Sequence, residues 1–184
     1  IESPRTAVDA LISSPQRPVE KEALVDGWTR FARADAEGAA AKFPQLVQAR
    51  GFDARAASPF AIAVALPFSW SRDPRALPFF ALGDPADFDE RAHEWHVRAA
   101  LWAGDWVRAA KAIDAMPEAL RNQNRWRYWS GRAAERLGYG DAARASYTAV
   151  LPTDNWYAAL AAARLGQPFA PTPQPLPRDT AEYE

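Results

Sequence analysis

Cysteine is absent from the 184 residues, and the only methionine is Met116. Without cysteine there are no disulfides and no thiolate metal sites, which fits an oxidising compartment where a stray thiol is a hazard. A charge excess is missing as well: 22 basic and 23 acidic residues leave a net of −1. Nucleic-acid binders carry a marked basic excess, so a phosphate backbone is not the expected partner. The longest apolar run, residues 59–68, is interrupted by Pro67 and falls far short of the about 18 residues that a membrane span needs. Strand signals are nearly absent, with no sustained Val/Ile/Thr alternation and no Asn-Gly hairpin turn. The chain begins at Ile1 rather than Met, which suggests a processed or trimmed product whose signal peptide would already be gone.

What is present is core-forming material in helical spacing. Hydrophobic residues make up 48% and aromatic residues 12%, too many for a disordered chain. Phe88, Ala92, Trp95, Ala99 and Trp102 fall within roughly 40° of one line at the helical period. Leu24, Trp28 and Phe31 form a second stripe, and Trp126, Trp129, Ala133 and Leu137 a third. The pairs Ser3-Pro4, Ser58-Pro59, Asp73-Pro74 and Asp84-Pro85 read as helix starts, with an N-cap followed by proline in the first turn. Gly51, Gly83, Gly138 and Gly166 read as stops. Together these predict helices at 4–13, 19–33, 36–49, 59–66, 74–81, 85–103, 106–115, 124–137, 141–150 and 155–165, with Pro44 kinking or splitting the third.

Four aspartates, Asp35, Asp73, Asp105 and Asp141, recur at spacings of 38, 32 and 36. Around three of them an apolar residue lies four positions earlier (Phe31, Leu101, Leu137) and alanine four later (Ala39, Ala109, Ala145). Phe43, Ile113 and Ala149 follow at eight. The pattern reads as a helix, a tight turn capped by Asp, and a second helix brought close by the small residue. Such hairpins bury one face alone and must stack on their neighbours. The expected fold is therefore all-α: a superhelix or solenoid of stacked, tetratricopeptide-like hairpins over residues 1–166. A proline-rich connector or strap follows over 167–184, where Pro168, Pro171, Pro173, Pro175 and Pro177 favour an extended chain.

No catalytic, cofactor-binding or metal centre is legible. His93 and His96 stand at i and i+3, whereas the zinc signature needs i and i+4. Helical geometry points them about 140° and about 80° from the apolar stripe, the positions of solvent-side histidines. Asp87, Asp89 and Glu90 open a helix, where its dipole favours acids, and Glu135 lies among arginines; neither is the buried, protonated acid that glycosidase chemistry requires. Phosphate loops and nucleophile elbows are absent. Of the eight tryptophans, Trp28, Trp95, Trp102, Trp126 and Trp129 fall on apolar stripes and are expected in the core. Trp70, between two serines in a predicted turn, is the candidate exposed aromatic. Arg125, Arg132 and Arg136 form one stripe about 90° from the apolar face of their helix. They are the candidate strip for an anionic ligand, with a salt-bridged solvent face as the plainer reading.

From Glu94 onward the text becomes specific. It runs Glu94-Trp95, Arg98-Ala99-Ala100-Leu101, Gly104-Asp105-Trp106, Met116-Pro117 and Arg125-Trp126-Arg127-Tyr128-Trp129. It then continues through Arg132-Ala133, Gly138, Ala142 and Tyr147 to Trp156-Tyr157-Ala158 and Ala161-Ala162-Ala163-Arg164-Leu165-Gly166. This resembles the superhelical α-domain of the soluble lytic murein transglycosylases, bacterial periplasmic enzymes that cleave peptidoglycan glycan strands. Residues 72–80 also look like the Arg-Asp-Pro-x-Ala-Leu segment of that family, so the similarity covers residues 70–169. Ala158 stands where the family usually has Gly. The family's catalytic Glu-Ser pair with its downstream Gly-Leu-Met-Gln motif does not occur; Glu2-Ser3 has no such motif after it. The resemblance implies a periplasmic, non-catalytic scaffold that positions peptidoglycan glycan strands or stem peptides for a separate catalytic domain of the same parent protein. A stand-alone tetratricopeptide-like scaffold binding a protein or peptide is the alternative.

Overall fold

The structure, a computed structural model, describes residues 4–14 and 18–172. It is 73% helical, with 11 α-helices and no strand among the described residues. The chain divides into two compact units, residues 1–120 and 121–184.

In the first unit α1 (Pro4–Ser13), α2 (Lys21–Ala34), α3 (Ala36–Arg50), α4 (Ala54–Trp70), α5 (Ala76–Phe80), α6 (Glu90–Trp102) and α7 (Trp106–Asp114) follow one another, each packed on its neighbours; the short α8 (Glu118–Arg121) ends it. Two hairpins turn on the predicted aspartates. Asp35 accepts a hydrogen bond from the Gly38 N–H at 2.7 Å and Asp105 one from the Arg108 N–H at 2.9 Å. Ala39 and Ala109, four residues on, are fully buried, so the helices meet there without a large side chain between them. Asp73 likewise accepts from the Arg75 N–H at 2.9 Å ahead of α5.

α4 is the pillar of this unit. Apart from Pro59 and Pro67 it is buried at every position from Ala57 to Ser69, packed on α2, α3, α5 and α6. Its start departs from the sequence expectation. The cap is Asp53, which accepts from the Ala56 N–H at 2.8 Å, and Pro59 lies inside the helix. Ser58, expected as a cap, is fully buried and accepts instead from the Asp84 N–H at 2.8 Å. An interior proline costs about 3 kcal/mol of helix stability. Burial on nearly all sides offsets that cost in α4; α3 also runs unbroken through a proline, Pro44, which lies on its exposed face. An aromatic cluster fills the space between α2 and α4: Trp28 meets Phe31, Phe43 and Phe60 edge-on or tilted, and donates its indole N–H to the Phe60 carbonyl at 3.0 Å.

The second unit holds α9 (Asn124–Arg136), α10 (Gly140–Thr148) and α11 (Trp156–Leu165). Gly131 permits the closest approach here, since a Cβ on it would lie 2.6 Å from the Tyr147 ring. The repeat register differs from expectation. Asp141 lies inside α10, and the cap position is Tyr139. Ala143 and Tyr147, four and eight residues after Tyr139, are buried, as Ala39 and Phe43 are after Asp35. Ala145 is exposed. Counted by burial, the third turn therefore falls 34 residues after Asp105, at Tyr139. Ala158 is helical and fully buried, so the departure from Gly is absorbed. After Gly166 the chain leaves the helix: Phe169 packs on the α9–α11 cluster and the Thr172 N–H donates to Asp154 at 2.8 Å. The remaining prolines, from Pro173 on, lie outside the described residues.

Candidate functional site

The arginine strip lies along α9. The Arg125 guanidinium sits over the Trp126 ring at 4.4 Å. Arg132 is drawn inward, its side chain 18% exposed and its Nε 3.4 Å from Glu135. Glu135 also accepts from the Tyr147 hydroxyl at 2.6 Å and lies 3.5 Å from Arg164. Burial, together with the hydrogen bond to Glu135, holds the Tyr147 hydroxyl above its ordinary pKa, so it stays a donor. Of the three arginines Arg136 alone is exposed, at the C-terminal end of α9, where a cation meets the helix dipole favourably. The middle of the strip thus belongs to an internal network that ties α9, α10 and α11 together.

Trp70 is the last residue of α4 rather than part of a turn, and is 39% exposed. It begins a row. Its ring meets Trp95 at 6.5 Å, and Trp95 meets Trp102 at 5.9 Å. A guanidinium lies on each ring: Arg33 on Trp70 at 5.9 Å, Arg98 on Trp95 at 5.0 Å and Arg72 on Trp102 at 5.0 Å. Trp102 is 44% exposed, which corrects its expected place in the core; Trp95 is half-buried. Arg98 is paired with Glu94. Arg33 and Arg72 meet no carboxylate among the described residues. Arg72 has φ 59, the one non-glycine residue with positive φ among those described. A non-glycine side chain in this region is uncommon and marks a constrained site. Beside the row, a concavity of about 130 Å³ lies between Trp102, Leu77 and Ala103, with Arg72 on its rim. Trp95, Arg98 and Trp102 are spaced i, i+3 and i+7 on α6, a signal that was visible in the sequence. Arg33 and Arg72 join them only through the packing of α2 and α4.

Both histidines face inward, contrary to the expectation of a solvent side. His93 is 2% exposed. His96 stacks on Phe80 at 4.8 Å and meets Phe88 at 5.8 Å. Burial lowers the pKa of both, His96 to about 4, with His93 and Arg108 adding repulsion. The reason is geometric: α6 is covered by α4 and α5 on one side and by α7 on another, whereas a single stripe accounts for one covered face. Of the acids at its start, Asp89 is the N-cap and accepts from the Ala92 N–H at 2.7 Å. No three His, Asp or Glu side chains lie together as a metal site would need, among the described residues. Among the same residues no helix is long and apolar enough to cross a membrane.

No protein-family model matches the sequence, and no curated protein matches it. Solved structures do. An inactive mutant of the lytic transglycosylase Slt from Pseudomonas aeruginosa matches with a TM-score of 0.69 at 26% identity, over 90% of this chain and 28% of that one. The 70 kDa soluble lytic transglycosylase in complex with bulgecin A matches at 0.69 and 18% identity, over 95% and 29%. The 70 kDa soluble lytic transglycosylase from Escherichia coli matches at 0.68 and 19%, again over 95% and 29%. This chain therefore spans under a third of the length of the solved transglycosylases it matches. The resemblance read from the sequence extends to the fold, which is that of a helical lytic transglycosylase domain.

Proposed function

We propose that this chain is the non-catalytic α-superhelical scaffold of a periplasmic lytic transglycosylase, positioning peptidoglycan strands for a catalytic domain elsewhere in the same parent protein. The observation that carries the reading is the match over nine-tenths or more of this chain and under a third of each solved lytic transglycosylase. The acids support it. Cleavage of a glycosidic bond needs a carboxyl group held beside the leaving oxygen in a cleft. Here Asp89 is committed to capping α6, and Glu135 is shared by Tyr147, Arg132 and Arg164. The proline-rich residues 167–184 are the proposed connector. Of the strip of Arg125, Arg132 and Arg136, the two ends are the proposed contact for stem-peptide carboxylates, Arg132 being held inward beside Glu135.

The test is incubation of the purified chain with purified murein. The chain is expected to sediment with the murein and to release no anhydro-muropeptides; turnover would overturn the scaffold reading. Sequencing the parent gene beyond Glu184 gives an independent check. A Glu-Ser pair followed by Gly-Leu-Met-Gln is expected there, and an unrelated domain would favour a peptide-binding scaffold instead.

A further inference from the structure

The row of Trp70, Trp95 and Trp102 combines features that neither core packing nor a salt-bridged surface requires. The Trp95 ring meets both of the others, at 6.5 and 5.9 Å with planes 73° and 52° apart, and the two end rings are 39% and 44% exposed. Each end ring carries a guanidinium that meets no carboxylate among the described residues, Arg33 at one end and Arg72 at the other. Side chains that serve only the fold would be covered or paired. Here stacking surface and positive charge are both left open, and Arg72 keeps a backbone conformation that disfavours any residue but glycine.

We infer that this row is a binding site for a linear acidic glycan, whose sugar rings pack on the exposed parts of the Trp70 and Trp102 indoles and whose carboxylates pair with Arg72 and Arg33. A row of flat rings suits a ligand of repeated rings rather than a compact ion. An acid-free cation at each end of the row suits a chain that carries more than one carboxylate. Single-stranded nucleic acid also stacks on aromatic rings, but it carries a charge on every unit, and this chain, with 22 basic against 23 acidic residues, lacks the excess to match it. The concavity of about 130 Å³ beside Trp102 is lined by Leu77, Ala99 and Ala103 together with Ser69, Pro74 and Asp73; the Asp73 carboxylate is neutralised by Arg75, and the apolar side has room for a small substituent such as the methyl of an N-acetyl group. Acidic N-acetylated sugars are thus the ligand class. Their identification as murein strands rests on the proposed function; the site itself does not.

The experiment follows the indole N–H NMR signals of the eight tryptophans in the 184-residue chain. The probes are peptide-free murein glycan strands, hyaluronan oligomers, uncharged chitooligosaccharides and isolated stem peptides. Murein strands are expected to shift the signals of Trp70, Trp95 and Trp102 and to leave those of Trp28 and Trp126 in place. Trp102→Ala and Arg72→Gly are each expected to weaken binding about tenfold, in line with the contribution of one aromatic stack or one charge-assisted contact. Arg72→Gly keeps the fold, since glycine accepts a φ of 59. The uncharged oligomer is expected to bind several-fold more weakly than the acidic strands. If hyaluronan binds through the same three rings and murein strands do not, the site stands and the murein assignment falls. If murein strands bind and both variants bind within twofold of the unaltered chain, the site falls and the scaffold reading stands. Signals that move only with stem peptides, or with no probe, overturn the site.

Discussion

Trp126 is 1% exposed, so truncation opens a cavity the size of an indole. Trp126→Ala is expected to cost about 3–5 kcal/mol, the range for large aromatic core deletions, read from a urea titration; a loss under about 1 kcal/mol would mean a surface residue. Gly131→Ala is the converse case. Its Cβ would lie 2.6 Å from the Tyr147 ring, and the ring is held by its hydrogen bond to Glu135, so overpacking of about 1–3 kcal/mol is expected. The histidines give a pH dependence with a definite sign. The folded chain lowers the His96 pKa from 6.5 to about 4 and lowers that of His93 in the same direction. Below about pH 6.5 the unfolded chain takes up protons that the folded chain refuses, so stability is complete above that value and is lost as pH falls towards 4. By pH 5 the loss through His96 is roughly 2 kcal/mol, measurable as a falling urea midpoint. A His96→Phe variant should lose much of this dependence; if the two chains track each other, His96 titrates normally. These inward histidines could not be read from residue type, because the apolar stripe of α6 marks one covered side and the helix has two.

At the scale of the element, capping separates the turn aspartates. Asp35 and Asp105 hold the first N–H groups of α3 and α7, and replacing either by alanine is expected to cost about 1 kcal/mol. Asp141 is exposed within α10 and caps nothing, so Asp141→Ala should change stability by less than about 0.5 kcal/mol. Equal losses at Asp105 and Asp141 in thermal melts would restore the register read from the aspartates. Most helix limits were legible to within a residue or two, since caps and left-handed glycines act locally: Gly51 and Gly166 both end helices at positive φ. The starts of α6 and α4 were not: Asp84-Pro85 opens only a 3-10 turn over Pro85–Asp87, and α6, expected from residue 85, begins at Glu90 behind its cap Asp89. Ser58-Pro59 has the local form of a helix start, and only its burial between α2, α3 and α6 keeps the chain helical through the proline.

Over the whole molecule, charge and burial act together. With a net charge of −1 there is no long-range field to gather an anionic ligand, so any electrostatic share of an affinity for murein must come from local cations. Such binding is expected to weaken as salt rises from about 50 to about 300 mM, since exposed charges are screened beyond about 8 Å at physiological ionic strength. Co-sedimentation with murein across that range checks it, and salt-insensitive binding would shift the weight from the arginines to ring stacking. By itself the sequence determined the all-α class, the hairpin turns at Asp35 and Asp105 and the resemblance to a transglycosylase scaffold. Each of these follows from local spacing, capping or a contiguous motif. Only the tertiary structure decided which stripe residues are covered and which stay open. Trp102 shares a stripe with buried Ala92 and Ala99 yet lies at the end of α6 with its ring largely uncovered, while His93 and Val97, off that stripe, are buried by neighbouring helices. The exposure of a side chain is set by what packs against it from elsewhere in the chain. The row of tryptophans and arginines, assembled from α2, α6 and the end of α4, exists only once those helices have met.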